Sequence, residues 1–346
     1  MRMNTATPGP LALTPSLHET IWGGRNLGDV AGKALPGQAM IGESWETENS
    51  CVVREGPFAG TALSELVGRF GQQLVGSRAL AIYGRRFPLL AKFIDAQQWL
   101  SVQVHPTDEY AAAHENGKLG KTEAWYVLRA EPGAQLAYGI KRPVSAEEVR
   151  AAVSENRLEE LLNTFEARPG DVIFVPAGTI HAIGAGIVLY EIQEYSDVTY
   201  RLYDYGRLQA NGMPRDLHLE QALDVMRLEP PALATATALA RPPEQGIIAR
   251  SMLVACDYFI LEEWRLAGGA SRTTRETSCQ ILTVLEGACS LNTSETALDL
   301  VRGDTVVLPA GLGRYELNAD SAHLLCTWIP ERDDPLLREW GEAQRR

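Results

Sequence analysis

The sequence predicts a mainly β protein, two related β-barrels or sandwiches of which the first carries helical insertions. An internal repeat is the leading observation. Gly170-Asp-Val-Ile-Phe-Val-Pro-Ala-Gly178 returns as Gly303-Asp-Thr-Val-Val-Leu-Pro-Ala-Gly311, with the glycines, aspartate, proline and alanine at the same offsets. In each copy a Gly-Asp turn launches a short β-branched strand that Pro-Ala-Gly ends, as in antiparallel β-structure. A glycine-containing strand-turn-strand stretch precedes each copy, Trp125 to Tyr138 and Ile281 to Leu291. The apolar region Val172 to Tyr190 contains Pro176 and three glycines, so it reads as two strands and a turn rather than a membrane span.

Helix interrupts the β pattern in the first half. Over 61–75, Leu63, Leu66, Phe70 and Leu74 recur at helical spacing. Over 144–168, Ser145 and Glu148 form a capping box ahead of Val149, Val153, Leu158, Leu161, Leu162 and Phe165. A third, weaker helix is expected over 216–228. Between Glu229 and Gly246, proline pairs flank a stretch with little core-forming bulk, which predicts a connector. The expected organisation is a domain over 1–228, a connector over 229–246 and a second domain over 247–346.

Composition bounds the function. The chain has 346 residues and a formal charge of −12, with acidic residues spread rather than gathered into a tail. That argues against nucleic-acid or anionic-membrane partners and requires a local basic pocket for any phosphate-bearing ligand. Five cysteines without close spacing suggest free thiols in a reducing compartment such as the cytoplasm. The first nineteen residues do not read as a secretory signal.

Chemistry concentrates in the first domain. Leu100-Ser-Val-Gln-Val-His105 alternates, so Ser101, Gln103 and His105 share one strand face. A solvent-facing strand would look the same. Glu123 opens the strand-like Ala124-Trp-Tyr-Val-Leu128, and His181 follows Pro-Ala-Gly of the first repeat copy, where the second copy has Arg314. The scaffold thus recurs without the candidate ligands. Gln103, His105, Glu123 and His181 would supply two imidazoles, a carboxylate and an amide oxygen, a set suited to zinc, with manganese, cobalt or iron as alternatives. Lacking thiolates, such a site would be catalytic rather than structural. Lys92 in a strand-like run, Lys121 and Arg201 could together form the cationic pocket, although a lone lysine or arginine is more often a solvated side chain. Glu191, within an apolar strand, either faces solvent or is buried for acid–base work.

Ile21-Trp-Gly-Gly24, Gly42-Glu-Ser-Trp-Glu46, Leu100-Ser-Val-Gln-Val-His-Pro106, Gly120-Lys-Thr-Glu123, Val175-Pro-Ala-Gly-Thr-Ile-His181 and Ser196-Asp-Val-Thr-Tyr-Arg201 occur in an order that resembles the type I phosphomannose isomerases, short bacterial form. The resemblance implies two cupin-like barrels (jelly rolls) and one Zn²⁺ per chain. It implies interconversion of mannose 6-phosphate and fructose 6-phosphate through a metal-stabilised enediolate. The family's metal ligands fall on Gln103, His105, Glu123 and His181, and its substrate-pocket residues on Lys92, Ser101, Lys121, Glu191 and Arg201. Arg201, Lys92 and Ser101 are expected at the phosphate, and Lys121 or Glu191 at the proton. Ile183 departs from the aromatic residue of many longer members. The competing expectation is a cupin that binds a sugar or metal without catalysis. A nucleotidyltransferase fusion is disfavoured by the lack of a glycine-rich phosphate loop.

Overall fold

Strands that are apolar on both faces need packing partners on both sides, and the chain provides them by stacking sheets. The computed structural model describes residues 8–345 apart from 210 and 232–234. The first seven residues of the expected non-signal segment and residues 232–234 of the expected connector therefore lie outside the described residues. A six-stranded sheet runs in the order Val172–Val175, Glu123–Ala130, Ile187–Glu194, Leu89–Ala96, Ile41–Trp45, Ser16–Gly24. A five-stranded sheet runs Tyr200–Tyr203, Val102–Val104, His181–Ile183, Gln135–Ile140, Leu162–Glu166. A nine-stranded sheet holds the strands from Leu239–Arg241 to Arg314–Trp328 and adds Leu11–Thr14 and Val52–Val53 at its end, so the C-terminal sheet draws two strands from the first part of the chain.

Alternation along the strands places the core. On the six-stranded sheet, Ile94, Trp125, Val127 and Leu189 face Leu136, Tyr138 and Ile183 of the five-stranded sheet in one buried cluster. The intervening Phe93, Ala124, Tyr126, Tyr190 and Ile192 pack with the C-terminal sheet. The back of the five-stranded sheet, with Val102, Val104, Ala182 and Leu202, packs under Val149 and Ala222 from helices and Met226 just beyond one. The polar cleft described below opens between the two N-terminal sheets.

Several elements differ from the sequence expectation. The helix predicted over 144–168 is capped by Ser145, whose Oγ accepts from Glu148 N at 3.2 Å, but it spans only Ala146–Ser154. Asn156 then takes a left-handed φ of 55°, a 3₁₀ turn follows, and Leu162–Glu166 pairs as a strand with Gln135–Ile140. The ladder bonds offered by that sheet edge outweigh the helical spacing of the leucines. Residues 61–75 do form helix, but as Leu63–Phe70 and Gln72–Val75 broken at Gly71, with a further helix Ser77–Tyr83. The third helix is Leu219–Val225. The predicted strand-turn-strand Ile281 to Leu291 is one strand, Gln280–Asn292, because Gly287 at φ 74° forms a bulge where a Cβ would meet Ser321 O at 2.2 Å. Trp125 to Tyr138 does turn, but its two strands enter different sheets. Val172 to Tyr190 contributes three strands, not two, and Leu239–Arg241 adds a strand within the expected connector. No described helix is long and apolar enough to cross a membrane.

Two polar contacts, the first buried and the second partly so, tie the N-terminal sheets to the C-terminal one. Lys33 Nζ donates to Glu46 Oε2 at 2.7 Å and to Gly303 O at 2.5 Å, while Ser44 Oγ donates to Glu46 Oε1 at 2.6 Å. Removing one partner strands a buried charge. Lys33→Ala should therefore lower unfolding free energy by about 3–5 kcal/mol, and the double variant Lys33→Met/Glu46→Leu by much less, as read from urea denaturation. Second, Glu263 takes His323 Nε2 at 2.6 Å and the Tyr126 hydroxyl at 3.1 Å. The His323 hydrogen bond holds Glu263 below the usual carboxylate range against the opposing effect of burial. Folded Glu263 thus binds its proton less tightly than unfolded Glu263. Its contribution to stability is present above the ordinary glutamate value of about 4.3 and is lost as pH falls through the lower folded value. Glu263→Gln should flatten the acid limb of the stability–pH curve below about pH 5.

Candidate metal centre and active-site cleft

Strand pairing assembles the site from distant stretches. His181 lies opposite Gln103, and Gln103 opposite Arg201, so the three side chains share one face of adjacent strands. Across the cleft, Trp45, Lys92, Glu191 and Trp125 form a row on four neighbouring strands, with Glu123 two residues from Trp125 on the same face. His105 follows the Val102–Val104 strand, where its carbonyl accepts from Gly178 N at 2.8 Å. The repeat glycine thereby couples the His181 turn to His105.

His105, Glu123 and His181 are buried, with one ligand atom from each lying within 4.8 Å of the others. His105 Nδ1 donates to Val198 O and His181 Nδ1 to Thr179 O, both at 2.8 Å. Those carbonyls accept only an N–H, which fixes the tautomer and turns each Nε2 lone pair inward. The lone pairs meet Glu123, with His181 Nε2 at 3.2 Å from Oε1 and His105 Nε2 at 3.7 Å from Oε2. Burial lowers His181 to about 4 and His105 well below its ordinary value, with the Lys121 charge acting in the same direction. Burial, followed by Glu191, raises Glu123. Gln103 approaches His181 Nε2 through its amide at 3.4 Å, and a half-turn of that amide presents its oxygen instead. Neutral imidazoles, a buried carboxylate whose near neighbours other than the Lys121 ammonium are acceptor nitrogens, and an amide fit a divalent cation.

Lys121 is held by its backbone. Gly120 N donates to Asp108 Oδ1 at 2.7 Å, Lys121 N to Pro106 O at 3.0 Å and Thr122 N to Glu194 Oε1 at 2.8 Å. A Cβ on Gly120 would lie 2.5 Å from Asp108 N, so only glycine allows that approach. Lys121 Nζ stands 2.7 Å from Glu123 Oε2 and 3.1 Å from His105 Nε2. Burial opposes its charge, but Glu123 and Glu191 outweigh burial and raise its pKa, so it stays an ammonium. Glu191 Oε2 accepts from Trp125 Nε1 at 2.9 Å, and Oε1 lies 3.4 Å from Lys92 Nζ. Burial disfavours its charge, yet Lys121 and Lys92 prevail and hold it below the ordinary value. Arg201 Nε donates to Ser101 Oγ at 3.2 Å.

All nine residues singled out from the sequence meet at this place. Lys92, Ser101, Gln103, Lys121, Glu191 and Arg201 line a cleft of about 170 Å³, behind which His105, Glu123 and His181 are buried. Trp22, Glu43, Trp45 and Arg215 line it too and were not singled out. Lys92 Nζ lies over the Trp45 ring at 4.7 Å and 3.9 Å from Glu43 Oε2. The first three belong to the Trp-Gly-Gly and Glu-Ser-Trp-Glu motifs, so a signal existed. Arg215 had none.

Residues 11–127 match the model of the phosphomannose isomerase type I catalytic domain, and 249–326 that of the mannose-6-phosphate isomerase cupin domain. Mannose-6-phosphate isomerase ManA of Bacillus subtilis is 39% identical over 315 residues, 90% of this chain and 96% of that protein. The chain belongs to the type I phosphomannose isomerase family. A mannose-6-phosphate isomerase of Streptococcus mutans is 36% identical over the same shares of both chains. The crystal structure of the mannose 6-phosphate isomerase from Bacillus subtilis superposes with a TM-score of 0.82 at 33% identity, covering 92% of this chain and 99% of that one. The mainly β fold of this type I phosphomannose isomerase is accordingly of cupin type, and the His105, Glu123 and His181 cluster lies within its first 228 residues. Purified His105→Ala and His181→Ala proteins should each contain less than about a tenth of the wild-type metal by elemental analysis, because a single imidazole with the Glu123 carboxylate and the weak Gln103 amide holds a divalent ion far less tightly than the full set.

Proposed function

We propose that the cleft carries out aldose–ketose isomerisation, and the protein interconverts mannose 6-phosphate and fructose 6-phosphate. The observation that carries this is the convergence of a preformed cation-binding set, an ionised buried carboxylate and an arginine in one cleft of a phosphomannose isomerase fold. Gln103, His105, Glu123 and His181 would hold one divalent metal, and a borderline donor set without thiolate favours zinc. When bound there, the ion supplies Lewis-acid polarisation of the sugar oxygens.

The chain's own groups account for the rest. Glu191 is ionised and its Oε1 carries only the 3.4 Å pairing with Lys92, so it takes the proton from C2 of the open-chain aldose and returns it to C1, while the O2 hydroxyl proton passes to O1. Lys121 remains protonated and donates to the oxygen where enediolate charge develops. Lys92 and the Trp125 indole fix the Glu191 carboxylate, whose orientation decides which face of the sugar exchanges. Arg201 and Ser101 bind the phosphate. From the His181 strand to the Arg201 strand is two strand spacings, about 10 Å, comparable with an extended six-carbon phosphate ester.

We assign residues 1–228 to the catalytic unit, 229–246 to the connector and 247–346 to a second unit without metal ligands. Lys92, Lys121, Arg201 and Arg215 give the cleft the local positive charge that a small phosphosugar needs in a protein of charge −12, and the five free thiols support the cytoplasm as compartment. Incubation with mannose 6-phosphate in deuterated water should yield fructose 6-phosphate and label C1 or C2. Binding without turnover or exchange would instead favour a sugar-binding cupin. Glu191→Gln should lower kcat by about a hundredfold or more and stop exchange, while metal content stays at the wild-type level.

A further inference from the structure

The cleft continues past Arg201. After the Tyr200–Tyr203 strand the chain passes Asp204 and Arg207, makes a short hairpin bridged at Leu208 and Pro214, and returns through Arg215 to His218. The return is stitched to the strand. Arg201 N donates to His218 Nδ1 at 3.2 Å, His218 N to Arg201 O at 2.8 Å and Arg201 Nη1 to Asp216 O at 3.0 Å. At its centre Asp204 is buried and accepts from Arg215 Nε at 2.8 Å, Arg215 Nη2 at 2.5 Å and Arg207 Nη2 at 2.5 Å. Of the nearby carboxylates, Asp197 on the cleft wall is ion-paired with Lys118 at 2.8 Å, and Asp216 is exposed.

Donor accounting separates the three arginines. Arg207 commits every nitrogen, Nε to Asp204 O at 3.3 Å, Nη1 to Trp99 O and Nη2 to Asp204. Arg201 commits Nε to Ser101 and Nη1 to Asp216 O, and its Nη2 has no partner among the described residues. Arg215 commits Nε and Nη2 to Asp204, and its Nη1 has none among them either. Arg201 and Arg215 both line the cleft, whereas Arg207 does not. Arg201 also experiences Arg215 and Arg207 as neighbouring like charges. Three guanidinium groups gather around the buried Asp204, with the exposed Asp216 and Glu43 of the cleft wall as further neighbouring carboxylates, which leaves a local excess of positive charge in a protein of charge −12. An approaching phosphate monoester is close to a dianion at neutral pH and matches that excess.

We infer that Arg215 is a second phosphate-binding residue, which closes with Arg201 on the ester group of the substrate, and that Asp204 is the positioning residue that aims it. The inference rests on the phosphosugar reading and deepens it. Asp204 holds two of the Arg215 nitrogens in a fixed fork, so the remaining one is directed into the cleft before substrate arrives. Arg215 also stands between the cleft and an adjoining cavity lined by Trp22 and Gln209, which makes the hairpin a wall of the phosphate end.

The test uses the metal-loaded full chain, with mannose 6-phosphate as substrate and inorganic phosphate as competing ligand. Arg215→Gln should raise both the KM and the inhibition constant of inorganic phosphate about tenfold or more, with kcat within about threefold of wild type. Arg215→Lys should recover part of both constants, and Asp204→Asn should shift them in the same direction. The inference is overturned if Arg215→Gln leaves both constants within about twofold, or if kcat and thermal stability collapse while phosphate inhibition is unchanged. If the wild-type protein does not interconvert the sugars but calorimetry shows Arg215-dependent binding of inorganic phosphate, the isomerase reading falls and this assignment stands.

Discussion

Glu123 is fully buried with two imidazole lone pairs 3.2 and 3.7 Å from its oxygens, an arrangement that requires positive charge among the donors. The requirement originates in the main chain. Val198 O and Thr179 O each accept an Nδ1 proton, so both Nε2 atoms face the carboxylate as acceptors. Burial then keeps the imidazoles neutral and disfavours the charged carboxylate, and the Lys121 ammonium is the cation closest to Glu123. Three acceptors held together around one ammonium, that of Lys121, make a ligand set prepared for a cation.

Sheet stacking makes that burial possible. The six-stranded sheet is covered on one face by the five-stranded sheet and on the other by the C-terminal sheet, so its strands tolerate lysine and glutamate only where the charges answer one another. The Lys92 and Glu191 pair satisfies that condition directly opposite one another on adjacent strands. The Lys33, Glu46 and Gly303 contact extends the same logic to the boundary with the C-terminal sheet. That sheet holds the repeat's second copy, with Arg314 opening the Arg314–Trp328 strand as His181 opens its own.

Much of the site was legible because its chemistry follows from residue types at β spacing. Alternation from Leu100 to His105 placed Ser101, Gln103 and His105 on one face, and the structure forms strand over Val102–Val104 of that run; the repeat set His181 just past Pro-Ala-Gly, where the structure begins the His181–Ile183 strand. The failures occurred where local pattern and tertiary contact disagreed. Leu158, Leu161, Leu162 and Phe165 have helical spacing, but the open edge of the Gln135–Ile140 strand captures Leu162 and Phe165, and the first two form only a 3₁₀ turn. Gly287 resembles a turn and is a bulge, because the long strands on either side must twist past Ser321. Arg215 was invisible because an arginine in a polar loop has no periodicity to interpret, and its role depends on the buried Asp204 eleven residues earlier.

The sequence by itself determined the donor types, the β-rich architecture and the family, since each is written in short ordered motifs and in the repeat. Only the tertiary structure decided how the donors are poised. Register between strands put His181, Gln103 and Arg201 side by side, and burial set the charge states of Glu123, Lys121 and Glu191. Residue identity is a local property of the chain, whereas proton affinity and ligand geometry depend on neighbours that meet only when remote segments share a core.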